Sequence, residues 1–298
     1  MNKHRVMVQS GMQRVVAIAL SVLLAGCATT VPYVGQGPHP QLTRGAPVPP
    51  VDFLGNVLSL PLKLLLWSWK FNLHTISSAT EEKLVGYLDA RDVAAFEDAR
   101  FRLNQYAPFD DLKRLTKNRH VAWPYRLLLG FPATLIFEVI LPGRLFPWGD
   151  YFNPWTNTVH LYSDHPAISL HEAGHVYDFS KRRFKGTYAM LYLVPFVDLY
   201  HEWKATDYAI DYMIEVKDRP TEISAYKILW PAYGSYAGSY LFPPFGTITG
   251  ILLGHAAGRT EAHTRQKHYE QETAFPAATQ PPPSIPSSEP STPEPITP

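Results

Sequence analysis

The sequence predicts an α+β fold, mainly α-helical with a small β-sheet, and three observations carry that prediction. Several long stretches have helical starts, caps or face patterns, including Thr80 to Leu103, Arg126 to Leu141 and Asp198 to Met213. One short stretch, Asn157 to Ser163, is β-rich and bounded by turn residues. A single cysteine, Cys27, rules out an intramolecular disulfide, so the fold must rest on its apolar core. The 298 residues carry a formal net charge of +1, and this balance offers no basic surplus for nucleic acid.

The chain divides by composition. Lys3, His4, Arg5 and Arg14 form a positive start, and a short apolar run follows from Val15 to Leu24. That run is too short to span a bilayer comfortably and reads as a signal peptide over residues 1–26. Residues 27–50 are rich in Gly and Pro and read as a tether. The folded domain is expected over residues 51–273. Residues 274–298 are rich in Pro, Ser and Thr and read as a disordered or extended tail.

Within the domain, Leu60 to Leu73 is strongly apolar, and Pro61 suits a helix start. A buried core helix is preferred there over a helix lying on a membrane. Thr80 to Leu103 should be helical behind a Thr80 cap. Arg126 to Leu141 is apolar and broken by Pro132, and Glu138 within it argues against a membrane span. After the strand, Asp164 and Pro166 mark the start of a helix. Near the end of the domain, Gly246, Gly250, Gly254 and Gly258 recur at every fourth residue. On a helix they form one smooth stripe, suited to close packing inside the domain.

Chemistry concentrates in "SLHEAGHVYDF", Ser169 to Phe179. Residues four apart share a helix face, so His171 and His175 can grip one metal ion. Glu172 is rotated by about 100° and lies beside that ion, placed to take a proton from an activated water. This is the physical content of His-Glu-x-x-His. The flanking Ser169, Leu170, Ala173, Gly174 and Val176 are uncharged, as a buried metal helix requires.

The motif resembles that of zincin metallopeptidases. The resemblance implies Zn2+ as cofactor, a pair of metal-bearing helices, and Asn157 to Ser163 as the edge strand that pairs with an extended substrate. A metzincin would need Gly and His where Asp178 and Lys181 stand, so that subclass is excluded. The third ligand is sought on Asp198 to Met213. Glu202 is the leading candidate, because Ala205 and Ala209 lie on nearly its own face and allow a close helix approach. Glu-x-x-Ala on a second helix resembles the glutamate-ligand zincins. Those often carry Asp four residues after the glutamate, whereas here Thr206 stands there and Asp207 follows. Asp198 and His201 are rival ligands. His160 and His165 are read as non-ligands. Tyr233, Tyr236, Tyr240 and His255 are candidate oxyanion donors, with none assigned.

Leu24-Ala25-Gly26-Cys27 resembles the lipobox of bacterial lipoproteins. That resemblance implies cleavage before Cys27 and acylation of its sulfur, hence membrane attachment. Ala28 in place of Asp implies the outer membrane, facing the periplasm. Together these readings point to a lipid-anchored zinc metallopeptidase of the cell envelope acting on peptides or proteins. The alternative is a non-proteolytic envelope lipoprotein using the same scaffold to bind or to hold zinc structurally.

Overall fold

The structure, a computed structural model, describes residues 30–31, 39–91 and 93–274. The signal peptide, Cys27 and the C-terminal tail lie outside the described residues. In chain order the elements begin with β1 (Thr30–Val31), β2 (Leu42–Gly45), α1 (Pro49–Leu58), α2 (Leu60–Leu65), α3 (Ser78–Ala90) and α4 (Val93–Phe96). Next come β3 (Arg100–Leu103), α5 (Pro108–Lys117), α6 (residues 123–140), β4 (Tyr151–Asn153) and β5 (Thr158–Leu161). The remainder is helical: α7 (Pro166–Ser180), α8 (Lys185–Leu191), α9 (Val197–Glu215), α10 (Arg219–Ser239) and α11 (Phe245–Ala274). The fold is therefore α+β and mainly helical.

The strands form one mixed sheet in the order β1-β2-β3-β5-β4. The β2–β3 and β3–β5 pairs are parallel, and the β1–β2 and β4–β5 pairs are antiparallel. Side chains alternate across a strand, so register decides what each face buries. Phe101 pairs with Val159 and Leu103 with Leu161. These four have no exposed surface and join Leu84, Tyr87, Leu170 and Val176 in the core. Each fully buried side chain of this size contributes about 1.5–3 kcal/mol of transfer free energy. Arg102, paired with His160, points to the opposite face, towards α5 and α6.

Helix α7 is the centre of the molecule. Pro166 occupies its first turn, where a missing N–H costs nothing. From Ala167 to Val176 every residue is buried. Such an all-round buried helix favours uncharged side chains, and within that stretch only His171, Glu172 and His175 can carry charge. Its N-terminus is tied to α10 by the His165 Nε2 to Ser224 Oγ contact of 3.2 Å.

The α10–α11 hairpin explains the glycine stripe. A Cβ on Gly250 would lie 2.0 Å from the Gly234 carbonyl oxygen, and one on Gly246 would lie 2.3 Å from that of Gly238. Gly254 and Gly258 face the backbone of Trp230 and Tyr226 in the same way. The two helices touch backbone to backbone. No helix among the described residues is long and apolar enough to cross a membrane.

Several sequence expectations need correction. The helix expected from Thr80 to Leu103 stops at Ala90, and Arg-Phe-Arg-Leu at 100–103 is strand β3, as its period-two alternation allows. Its cap is Ser77, which accepts from the Thr80 amide at 3.4 Å, rather than Thr80 itself. Pro132 does not break its segment. Residues 126–130 and 135–140 are π-helical, and the Phe131 amide bonds the Arg126 carbonyl five residues back, shifting the register ahead of the proline. The Leu60 to Leu73 stretch is helical only to Leu65, and Trp67 and Trp69 are exposed, so it is not a buried core helix. Part of the tether is ordered: Leu42–Gly45 joins the sheet, and Arg44 forms an ion pair with Glu81 at 2.6 Å.

The edge strand is also reassigned. Asn157 to Ser163 does contain a strand, β5, but it is paired on both sides. The edge is β4, whose three residues are too short to stand out in sequence. A β-rich pattern reports strand formation and not the identity of the neighbours.

Candidate metal centre

Two helices build the site. On α7, His171 and His175 are successive rungs of one face, and their rings meet edge to face at 4.7 Å. Helix α9 supplies Glu202. The His171 and His175 Nε2 atoms lie 3.1 Å apart. Glu202 Oε2 lies 3.1 Å from His171 Nε2, and Oε1 lies 3.4 Å from His175 Nε2. The approach depends on small residues. A Cβ on Gly174 would sit 2.5 Å from the Ala205 carbonyl oxygen, and Ala205 and Ala209 are fully buried.

These separations suit a tetrahedral ion. Bonds of about 2.0–2.1 Å place two ligand atoms about 3.3 Å apart on a tetrahedron. Two imidazoles and a carboxylate form a donor set that zinc favours. The electrostatics agree. Burial disfavours a charge on His171 and lowers its pKa, leaving the neutral ring that a metal requires. Burial opposes charge on Glu202 too, but His175 and the hydrogen bonds from both rings outweigh it and hold this carboxylate well below the usual range. On His175 burial is likewise outweighed by Glu202, which raises its pKa.

Glu172 is different. It is buried, and Oε2 has no hydrogen-bond partner. Burial first, then the charges of Glu202 and Asp150, push its pKa up to about 8 against the opposing influence of His175 and of a hydrogen bond from the Phe152 backbone on β4. A carboxylate that prefers a proton near neutrality, with one oxygen free, is poised to exchange protons with a bound water.

The structure separates the remaining candidates. Asp198 accepts from the Tyr240 hydroxyl at 2.5 Å and does not join the metal cluster. His201 stacks on Tyr192 at 4.0 Å and meets Tyr188 edge-on, so its ring lies within an aromatic sandwich. Among oxyanion candidates, Tyr240 is held by Asp198 and His255 by the Leu65 carbonyl at 2.8 Å. Tyr233 feels burial first and Asp198 next. Tyr236 is the one whose hydroxyl is governed first by Glu202, then by burial and Glu172, all raising its pKa well above the ordinary value. His165 is engaged with Ser224 and is no part of the site. His160 lies on the sheet face turned away from α7.

Two contacts were invisible in the sequence. Thr206 Oγ1 lies 3.1 Å from His171 Nδ1, while Asp207 turns to Lys204 at 3.1 Å. Thr206, four residues after Glu202, is thus the neighbour of His171, and Asp207 is not. Tyr192, in the loop after α8, brings its hydroxyl 3.5 Å from His175 Nδ1. Only the spacing from Glu202 could have pointed to Thr206, and nothing flagged Tyr192. Partners of this kind fix the tautomer that leaves Nε2 free for a metal. Replacing Thr206 with Val is therefore expected to weaken zinc binding by about tenfold, read by chelator competition. An affinity unchanged within a factor of about two would show that Thr206 does not orient His171.

No protein-family model matches the chain, and neither a curated protein nor a solved structure matches it.

Proposed function

We propose that the chain is a zinc-dependent metallopeptidase of the bacterial cell envelope, attached through an acylated Cys27 and facing the periplasm. One observation carries this reading: the convergence of His171, His175 and Glu202 within 3.4 Å contacts, beside the buried and half-unpartnered Glu172. Zinc bound by those three side chains would supply an acidified water and polarise the scissile carbonyl. Glu172, whose Oε2 is unpartnered, would take a proton from the attacking water and deliver it to the leaving amine. Tyr236, kept protonated by its carboxylate neighbours, donates to the oxygen on which charge develops.

One further feature favours hydrolysis over a purely structural ion. Among the described residues no fourth donor joins the cluster, which leaves a ligand position for water. A mainly apolar cleft of about 850 Å³ opens between α9 and the α10–α11 hairpin. Trp203, Tyr233, Ala237 and Thr206 line it, but none of His171, Glu172, His175 and Glu202 does, and it meets the site only through the contact of Thr206 with His171.

The test is digestion of casein by the purified chain after removal of metal, then after zinc is restored. Cleavage that disappears with chelation and returns with zinc supports the proposal. A folded, zinc-loaded chain that leaves casein and a mixed-sequence peptide library intact overturns it.

A further inference from the structure

A second cluster of ligand-type side chains lies on the far side of the sheet. Arg102 and His160 are register partners on β3 and β5, and both point away from α7. Asp111 reaches them from the first turn of α5. Glu138 reaches them from the second π-helical stretch of α6. An inserted helical residue of this kind re-aims the side chains around it and is frequent at functional sites. His160, Asp111 and Glu138 each keep 2 % or less of their surface exposed.

The contacts are close, and Glu138 Oε1 also accepts from Asn153 Nδ2 at 3.3 Å. Glu138 Oε1 lies 3.0 Å from His160 Nε2, and Asp111 Oδ2 lies 3.9 Å from it. One ligand atom from each residue falls within 4.8 Å of the other two. Neither ring nitrogen of His160 has a hydrogen-bond partner, and neither does Asp111 Oδ2. Nε2 and the Glu138 oxygen are neighbours whose directions miss one another, the relation expected of atoms aimed at a shared third point. For six-coordinate bonds of about 2.1 Å, adjacent ligand atoms stand about 3.0 Å apart; the Glu138–His160 pair has that spacing, and Asp111 Oδ2, at 3.9 Å, would have to draw in on binding.

Charge points the same way. Asp111 and Glu138 bring two negative charges into the interior, and Arg102 offsets one. Its guanidinium bonds Asp111 Oδ1, Gln105 and Asp110, which leaves Asp111 Oδ2 unaddressed. A proton on His160 could supply the missing positive charge, but Nε2–H would face Glu138 Oε1 at 3.0 Å in a direction that misses it, and Asp111 Oδ2 would stay unpartnered. A buried group left unpartnered in this way costs about 1–3 kcal/mol. A divalent ion satisfies Nε2, Asp111 Oδ2 and Glu138 together.

We propose that Asp111, Glu138 and His160 form a second, structural metal site for a divalent first-row transition ion, pinning α5 and α6 to the sheet. One imidazole with two carboxylates suits such an ion better than calcium or magnesium. The site stands apart from the candidate catalytic centre and does not depend on the peptidase reading.

The test is metal counting on the full chain with Zn2+ as probe. Wild type is expected to bind two equivalents, and a His171→Ala/His175→Ala variant one. Adding Glu138→Gln to that double variant should remove the remaining equivalent. A wild-type chain that saturates at one equivalent, with none in the folded double variant, overturns the proposal. So does a triple variant that keeps its zinc, because the ion then sits elsewhere. If the triple variant does not fold, release from the double variant decides. Loss to EDTA within mixing time marks a surface site and overturns the proposal, whereas retention for many minutes supports a buried one.

Discussion

Replacing Glu172 with Gln is expected to leave zinc bound and to reduce peptide hydrolysis by about a thousandfold, within the range typical for removal of a general acid–base group. The substitution preserves volume in a buried position, and its amide oxygen can still accept from the Phe152 backbone. What disappears is the capacity to carry a proton. Without a nearby cation, burial keeps Glu172 largely neutral below its pKa of about 8. A bound divalent ion inverts that local preference, because its charge favours the ionised form. On the proposed reading the residue would then serve as a base and, once protonated, as an acid. The measurements are zinc stoichiometry and kcat/KM on the same samples. A zinc-loaded variant that keeps more than about a tenth of wild-type kcat/KM would show that the proton travels by another route.

How much of this was legible beforehand depends on how local each feature is. The helix Pro166–Ser180 was readable because His171, Glu172 and His175 encode a helix face within five residues, and Pro166 announces its start. Glu202 was readable through Ala205 and Ala209, whose small side chains signal a close helix approach. The glycine stripe was readable for the same reason, since four glycines at one spacing have few other uses. Thr206 and Tyr192 were not, because a hydroxyl that supports a histidine leaves no periodic trace. Sheet order was equally hidden. Asn157 to Ser163 shows β character, but only the pairing with both Arg100–Leu103 and Tyr151–Asn153 makes it an inner strand. His160 was passed over because its partners lie 49 residues before it and 22 before it, at Asp111 and Glu138. Nothing short of the tertiary fold brings those three together. The sequence therefore spoke clearly about single helices and their faces, and weakly wherever a site is assembled from distant segments.

Gly174→Val is expected to produce the second large loss, and it tests the link between helix spacing and metal binding. The added Cβ would fall 2.5 Å from the Ala205 carbonyl oxygen, a backbone atom that cannot rotate away. Helices α7 and α9 must then separate or tilt. Overpacking of this kind costs about 1–3 kcal/mol in a well-packed interior. The larger consequence concerns the site. His175 is one residue beyond Gly174 and Glu202 three before Ala205, so any separation opens the 3.4 Å contact between them. Losing ideal geometry at one of three ligands should weaken zinc by at least about a hundredfold, since each 1.4 kcal/mol lost is tenfold in affinity. Gly250→Ala supplies the contrast. Its Cβ would strike the Gly234 carbonyl oxygen at 2.0 Å, an equally severe overlap, in the α10–α11 hairpin that carries no zinc ligand. That variant should melt at a lower temperature yet bind zinc normally below its Tm, by chelator competition. Equal loss of zinc affinity in both variants would mean that general destabilisation is responsible. Loss confined to Gly174→Val would mean that a single missing side chain sets the distance at which two helices can share an ion.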